Sequence, residues 1–312
     1  MTAPLSSPRR LFLGVDGGGT GCRARIEDEE GGVLGTGIGG PAALRFGIDR
    51  AFAAVETAYR AALAEAGLPD EILKETVAGI GLAGVGRKGA LEQLLARPHP
   101  FRSVTYVNDA TIACIGAHAG RDGGIVIVGT GSIGYAVVGG REVRVGGYGF
   151  PISDEGSGAD LGLHAIRLAL RAHDERNVAS NLTRQVMARF HDDPYEAVAW
   201  MDKATATDYA TFAPMVMRNA DDGDPVGRRI VRDAAEQIDE LVRRLSESGA
   251  PRIALLGGLA SSMQPWLAPD VQRRLVPLEG DAVDGALCLA RRDFMNKCSG
   301  AEIIRMNAGD LA

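Results

Sequence analysis

The chain has 312 residues, of which 46% are hydrophobic and 24% charged, and its formal net charge is −6. This composition is typical of a globular protein long enough for two domains of ordinary size. The acidic balance argues against nucleic-acid binding, and no apolar run approaches the ~18 residues of a membrane span. The apolar run after Arg9 and Arg10 is too short for a signal peptide, so we expect a cytoplasmic protein.

The cysteines are widely spaced and contain no CxxC pair, so neither a zinc set nor a disulfide framework is predicted. Most of them lie in apolar segments, where buried free thiols are expected. They are Cys22, Cys114, Cys288 and Cys298.

The first elements in chain order are two predicted strands, residues 11–15 and 22–27, joined by a glycine-rich turn. The turn comprises Asp16, Gly17, Gly18, Gly19 and Thr20. Glycines let backbone N–H groups approach a phosphate closely, the threonine hydroxyl adds a donor, and the aspartate can hold Mg²⁺ through its waters. This pattern favours a nucleoside triphosphate site, and an ordinary hairpin with a glycine-rich turn is the alternative.

A helix is predicted over residues 49–68, with Asp49 as a candidate N-cap and Gly67 at its end. A strand at 76–85, a short helix at 91–96, a strand at 103–107 and a helix at 110–118 follow.

Asn108 and Asp109 lie where the strand at 103–107 ends. A carboxylate at the carboxyl edge of a strand, with a phosphate turn nearby, can accept the proton of an attacking hydroxyl. The alternative is that Asp109 is simply a helix N-cap.

A second copy of the strand–turn–strand design begins at residue 125. Its turn comprises Gly129, Thr130, Gly131 and Ser132, and a third short segment follows each copy, at 32–35 and 142–145. The repetition predicts a duplicated architecture with one triphosphate held between two halves. A Walker pattern is absent, and neither turn leads straight into a helix, which argues against P-loop and dinucleotide-binding folds.

The segment after the second copy contains Gly146 and Gly147 and then the adjacent carboxylates Asp154 and Glu155. Adjacent carboxylates in a loop can accept hydrogen bonds from sugar hydroxyls or bind an ammonium group. A capped start to the helix after Gly158 is the competing interpretation.

Most of residues 159–242 are predicted to be helical, with helices at 161–171, 182–190, 197–204 and 225–245. A strand at 252–256 then meets Gly257 and Gly258, and a helix at 281–292 follows. The two glycines give backbone access to a flat ligand such as adenine, although a simple strand-to-helix turn explains them equally well.

These motifs, taken in order, resemble the N-acetylglucosamine kinase branch of the BadF/BadG/BcrA/BcrD ATPase family, and within it the bacterial glucosamine kinases. The resemblance runs from Leu11 to about Arg292 and includes Phe150 to Ser153, His99 to Phe101 and Gly223 to Pro225. It implies an α/β fold of the actin-like, ribonuclease H-like class, with two duplicated domains around a nucleotide cleft. The expected domains are residues 1–118 and 119–312, and the last helix is a candidate to pack back on the first domain.

The resemblance also implies the roles of the motifs. Asp109 matches the base that accepts the proton of the sugar 6-hydroxyl, and Asn108 and Glu155 are further expected substrate residues. Gly146, Gly147 and Asp154 match positions that contact the sugar, whereas Gly257 and Gly258 would lie beside adenosine. The residues of both glycine-rich turns become phosphate ligands, with ATP and Mg²⁺ as cofactors and Asp16 as the metal residue.

Three departures from the family bear on the substrate. Acetylated-sugar kinases tend to carry a substrate-binding Asn after the third strand, whereas residues 40–44 here hold no amide side chain, Ile133 follows Ser132, and Tyr148 replaces a frequent Trp. This favours glucosamine over N-acetylglucosamine, which remains the alternative. Two other functions are alternatives. An ATPase activator with an iron–sulfur cluster would need clustered cysteines, which this chain lacks. A non-catalytic sugar sensor would not need Asp16 and Asp109, so the presence of both argues against it. The expected partner is a small amino sugar, without nucleic acid or membrane, and a homodimer is a candidate assembly.

Overall fold

The computed structural model describes residues 10–299, with side chains described as far as Met295. Contacts divide the chain into two compact units. Within the described residues, unit 1 comprises residues 10–122, 139–141 and 278–299, and unit 2 comprises residues 123–138 and 142–277. The division differs from the predicted ranges 1–118 and 119–312 mainly because the C-terminal helix belongs to unit 1.

Unit 1 contains a five-stranded sheet in the order β3-β2-β1-β4-β5. Its strands are β1 (Leu11–Gly17), β2 (Cys22–Glu27), β3 (Val33–Gly39), β4 (Thr76–Leu82) and β5 (Ser103–Asn108). Its helices are α1 (Ile48–Ala66), α2 (Ala90–Leu95), α3 (Asp109–Ala117) and a C-terminal helix (Ala282–Ser299), and 3₁₀ turns lie at Leu44–Phe46 and Asp70–Glu75. The strands β1 and β2 are antiparallel, whereas β1, β4 and β5 are parallel.

The helix α1 covers one face of this sheet because its apolar stripe is buried against β3 and β2. Gly67 ends it in the left-handed conformation, with φ of 65°, which confirms the predicted C-terminus. The predicted N-cap was wrong. Gly47 occupies that position, and Asp49 lies inside the first turn, where its charge still favours the helix N-terminus.

The C-terminal helix packs against the other side of β1 and β4. Val283, Leu287 and Ala290 are buried together with Phe12 and Val77. A Cβ on Gly14 of β1 would lie 2.7 Å from Leu287 Cγ and 2.7 Å from the carbonyl oxygen of Val283. The close approach therefore requires a glycine in the strand, and it explains why this helix belongs to the unit that holds β1.

Unit 2 contains a four-stranded sheet in the order β8-β7-β6-β9. Its strands are β6 (Gly123–Val128), β7 (Ser132–Val138), β8 (Arg141–Val145) and β9 (Ile253–Leu256). Its longer helices are α4 (Gly158–His173), α5 (Asn181–Ala188), α6 (Pro194–Met201), α7 (Ala206–Ala210), α8 (Ala213–Asp221) and α9 (Pro225–Glu247). The shorter α10 (Ala260–Met263) and α11 (Pro269–Gln272) flank a 3₁₀ turn at Gln264–Trp266 and precede the C-terminal helix, α12.

Helix α9 is the central helix of unit 2. Asp224 caps it by accepting hydrogen bonds from the N–H groups of Val226 and Gly227, both at 2.9 Å, and Pro225 occupies the first turn as predicted. Its apolar stripe, which includes Ile230, is buried in the core of the unit. Helices α7, α8, α10 and α11 were not predicted.

Among the described residues, Cys22 and Cys114 are buried free thiols and Cys288 is half-buried, whereas the side chain of Cys298 lies outside the described residues. Burial raises the pKa of Cys22 to about 12, so this thiol is unreactive. Within residues 10–299 no helix has both the length and the apolar character needed to cross a bilayer.

Candidate active site

The carboxyl edge of the unit 1 sheet collects the polar residues that the sequence singled out. Parallel pairing aligns Gly17 of β1 with Leu82 of β4, and Leu82 with Asn108 of β5. Asp16 on β1 and Asn108 on β5 therefore lie at the same edge of the sheet, with β4 between their strands. Asp109 follows Asn108 as the first residue of α3. The topology brings together the predicted metal residue, the first glycine-rich turn and the predicted base.

The first glycine-rich turn is held by main-chain hydrogen bonds. The N–H of Gly18 donates to the carbonyl of Gly21 at 2.9 Å, and the N–H of Ala42 donates to the carbonyl of Gly18 at 3.0 Å. A Cβ on Gly17 would lie 2.5 Å from Leu82 Cδ2. Gly17, Gly18 and Gly19 are not among the glycines with positive φ, so close approach rather than a left-handed backbone explains the glycine at position 17. Thr20 is exposed, as a phosphate ligand must be.

Asp16 forms an ion pair that the sequence did not predict. Arg23 lies opposite Asp16 in the β1–β2 pair, and its Nη2 donates to Asp16 Oδ2 at 2.9 Å. The same guanidinium donates to Asp281 Oδ2 at 3.0 Å, in front of α12. A single arginine thus links the strand-end carboxylate to the start of the C-terminal helix.

Asp109 is the half-buried carboxylate of this edge. Burial raises its pKa above the ordinary value of 3.8, and the neighbouring charge of Asp16 adds to that effect, while the N–H of Ala110 opposes it with a hydrogen bond of 2.9 Å. The residue at the N-cap position of α3 is Asn108, whose side chain accepts from Ala110 N at 3.3 Å. The alternative that Asp109 is the N-cap is therefore wrong, although its Oδ1 also accepts from Ala110 N in the first turn.

The second glycine-rich turn is bonded to the start of α4. The N–H groups of Gly158 and Ala159 donate to the carbonyls of Gly129 and Thr130, at 2.8 and 3.1 Å. Ser132 is buried, and its hydroxyl donates to the carbonyl of Glu155 at 2.7 Å. Thr130 is exposed, so it is the hydroxyl of this turn that faces outward.

Asp154 lies against the second turn, since a Cβ on Gly131 would collide with its carboxylate. The residue has a left-handed backbone with φ of 70°, and its Oδ1 accepts from the N–H of Gly149 at 3.0 Å. Burial raises the pKa of Asp154, the hydrogen bond from Gly149 opposes the shift, and the charge of Glu155 adds to it. The loop that carries the predicted sugar residues therefore contacts the predicted phosphate turn within unit 2.

Gly146, Gly147 and Glu155 line a cavity of about 380 Å³ in unit 2. Gly146 and Gly147 are left-handed, with φ of 66° and 71°, and the guanidinium of Arg144 donates to both of their carbonyls. Helix α9 supplies further lining residues that the sequence analysis missed: Gln237, Glu240, Leu241 and Arg244. The helical period predicted α9 itself, but no short-range spacing links it to residues almost a hundred positions earlier.

Gly257 and Gly258 lie at the end of β9, which pairs in parallel with β6. Gly257 has φ of 100°, and a Cβ there would collide with the carbonyl of Val128. Gly258 has open space around it. The predicted adenosine residues are thus next to the second glycine-rich turn, at the same edge of the unit 2 sheet.

The sequence profile of the BadF/BadG/BcrA/BcrD ATPase family matches residues 13–290. This chain belongs to that family. Among its relatives, the glucosamine kinase GspK of Vibrio cholerae is 39% identical over 285 residues, which cover 91% of this chain and 97% of the relative. An N-acetylmuramic acid/N-acetylglucosamine kinase of Clostridium acetobutylicum is 29% identical over 69% of this chain and 76% of its own length.

Comparison with solved structures identifies the fold class of this chain. A structure from Chromobacterium violaceum, provisionally named an N-acetylglucosamine kinase, has a TM-score of 0.81 and 36% identity, and the match covers 91% of this chain and all of that one. The ROK hexokinase of Thermus thermophilus has a TM-score of 0.54 at 22% identity, covering 91% of this chain and 99% of that one. The predicted actin-like ATPase fold, mixed α/β with two sheets, is confirmed.

Proposed function

We propose that this chain is an ATP-dependent kinase that transfers the γ-phosphoryl group to the 6-hydroxyl of D-glucosamine. Membership of an ATPase family and the names of its relatives support an amino-sugar kinase. The observation that carries the proposal is Asp109, a half-buried carboxylate of raised pKa at the edge that also bears Asp16 and the first glycine-rich turn.

The role we assign to Asp109 is that of general base. Its carboxylate accepts the proton of the sugar 6-hydroxyl, the hydroxyl oxygen bonds to the γ-phosphorus, and the bond to the bridging β-phosphate oxygen breaks, releasing ADP. A raised pKa suits this role because a carboxylate that is a stronger base removes the proton more readily.

Asp16 is the residue we assign to Mg²⁺. The described residues contain no group of three or more His, Cys, Asp or Glu side chains that could hold a metal ion. A single carboxylate at a phosphate turn fits Mg²⁺, which usually keeps several waters and is held by one or two carboxylates together with substrate phosphates. The ion would neutralise phosphate charge, and Arg23 would then lose or share its contact with Asp16.

The roles we assign in unit 2 are binding roles. Thr130 and the main chain of the second turn would bind phosphate, Gly257 and Gly258 would lie beside adenosine, and Asp154 with Glu155 would bind the sugar. The half-buried carboxylate of Asp154 is fixed by its hydrogen bond with Gly149, so it can orient a hydroxyl without reorganising.

The proposed preference for glucosamine over N-acetylglucosamine is supported by the side chains of residues 40–44. Ala42 and Ala43 are buried, with exposed fractions of 0% and 3%, so this segment offers no amide partner for an acetyl group. Ile133, which follows the second turn, places its side chain beside Gly147. Glu155, exposed in the loop, can attract an ammonium group.

The test is coupled ADP release from Mg²⁺-ATP with glucosamine, N-acetylglucosamine, glucose or no sugar. We expect release that depends on glucosamine and is far weaker with the acetylated sugar. The reverse preference would assign N-acetylglucosamine as the substrate, and release that is indifferent to every sugar would exclude a sugar kinase.

A further inference from the structure

The segment between β3 and α1 is tied to the first glycine-rich turn by its main chain. The N–H of Ala42 donates to the carbonyl of Gly18 at 3.0 Å, and the N–H of Leu44 donates to the carbonyl of Ala83 at 2.9 Å. Because Ala42 and Ala43 point into the core, the long polar side chain that this segment presents at the surface is Arg45.

The guanidinium of Arg45 lies over the turn. A Cβ on Gly19 would be 3.3 Å from Arg45 Nη2, so the absence of a side chain at position 19 makes room for it. The Cζ of Arg45 is also 4.8 Å from the centre of the Phe46 ring, a cation–π contact that helps to hold the guanidinium in place. The side chain is thus positioned at the turn although it is exposed.

Arg45 has no carboxylate partner among residues 10–299, in contrast to Arg23 at the same turn, which pairs with Asp16 and Asp281. An uncompensated guanidinium beside Gly19 makes this turn a site of positive charge. Such a site attracts a phosphate group, whose oxygens match the guanidinium in a two-pronged hydrogen bond. It would repel the ammonium of an amino sugar.

We propose that Arg45 binds the γ-phosphoryl group of ATP through its guanidinium and neutralises the charge that spreads over the γ-phosphate oxygens during transfer. The inference rests on the proposed kinase function, in which the turn holds the triphosphate. It adds a catalytic residue that lies outside the recurring glycine motifs, on a segment where the sequence offered no substrate-binding side chain.

The test is nucleotide binding without sugar, measured by calorimetry with Mg²⁺ and either a non-hydrolysable ATP analogue or ADP. For Arg45→Gln, the dissociation constant of the analogue should rise by about 10- to 100-fold, since hydrogen bonds to charged groups are lost, while that of ADP changes by no more than about twofold.

Arg50→Gln is the matched control. Arg50 is also exposed and also stacks on Phe46, with its Cζ 5.4 Å from the ring centre, but the structure does not bring it to Gly19. We expect this variant to bind both nucleotides as the wild type does. Arg45→Lys keeps the positive charge but cannot form the two-pronged hydrogen bond, so it should cause an intermediate loss of affinity for the analogue and none for ADP. This variant serves as the test if Arg45→Gln does not fold.

Three results would overturn the inference. They are an equal loss of ADP and analogue binding, an unchanged analogue affinity, and a raised sugar KM with unchanged analogue affinity. Failure of the kinase proposal would look different, because the wild type would then bind the analogue through Arg45 and show no sugar-dependent ADP release.

Discussion

The two sheets carry the same strand–turn–strand device but differ in where their carboxylates lie. In unit 1 the carboxylates lie at strand ends, Asp16 as the second-last residue of β1 and Asp109 directly after β5. In unit 2 they lie on the loop that precedes α4, where Asp154 adopts a left-handed backbone. Residues on strand ends are rigidly placed, whereas a loop can shape itself to a ligand. Under the proposed function, the duplicated scaffold separates a chemical edge, which carries Asp16 and Asp109, from a binding edge, which carries Asp154 and Glu155.

Replacing the carboxylate of the chemical edge should give the largest effect. Asp109→Asn should lower kcat by roughly 10²–10⁴-fold, the scale for loss of a general base, with little change in KM. A carboxylate whose pKa is raised on folding is destabilising at pH values above that pKa, so the variant should be no less stable than the wild type at pH 7. Steady-state kinetics and urea unfolding measure both quantities.

The control for this variant is Glu92→Gln, at an exposed position in the first turn of α2. It should leave kcat unchanged and lower the free energy of unfolding by no more than about 1 kcal/mol, because it removes a charge that favours the helix N-terminus. Near-normal turnover of Asp109→Asn would show that Asp109 is not the general base, and the proposed division of roles between the two sheets would then be wrong.

The binding edge can be perturbed through Gly131, where an added Cβ would push the carboxylate of Asp154 aside. Gly131→Ala should raise the sugar KM by roughly 10-fold or more, since a displacement near 1 Å can cost about 10²-fold. Gly40→Ala, in unit 1, adds a Cβ where no atom lies within 4 Å and should leave the sugar KM as it is. A pure loss of kcat in Gly131→Ala would mean that this loop serves chemistry instead.

The two hydroxyls of the second turn separate stability from binding. Ser132→Ala removes the buried hydrogen bond to the carbonyl of Glu155 and should lower the free energy of unfolding by about 1 kcal/mol. Thr130→Val removes an exposed hydroxyl and should leave the free energy of unfolding unchanged while raising the KM for ATP. Chemical denaturation and the KM for ATP should be measured for both variants. A loss of stability in Thr130→Val, or an unchanged KM for ATP in that variant, would contradict this division of roles.

The smallest expected effect is a shift of a pH profile. Protonation of Asp109 should abolish activity, so the acid limb of kcat/KM follows its raised pKa. In Asp16→Asn the charge that helps to raise this pKa is gone, and the limb should move to lower pH even though overall activity falls. A limb that stays in place or moves upward would show that another group controls it.

Features set by neighbouring residues were predictable from the sequence. The strands around both turns, the helix that ends at Gly67 and the helix that begins at Pro225 depend on local patterns, and each is confirmed. The four-residue helices α10 and α11 were not predicted, since one turn is too short to show a helical period.

Contacts between distant residues account for most of what was missed at the site. Arg23 meets Asp281 across more than two hundred positions, and α9 meets the loop at Gly146 only through the packing of unit 2. Arg45 illustrates a different limit. Its sequence position suggested a segment without a substrate ligand, and only the fold shows which turn its guanidinium covers.

The C-terminal helix has a consequence for how the protein is made. A ribosome synthesises β1 to α3 first, but Phe12, Val77 and the groove at Gly14 stay uncovered until residues near 290 have emerged. The chemical edge therefore acquires its full support, including the Arg23–Asp281 contact, only after the whole of unit 2 has been translated. A prematurely terminated chain would hold Asp16 and Asp109 in an unfinished scaffold, so the order of synthesis delays activity until both sheets exist.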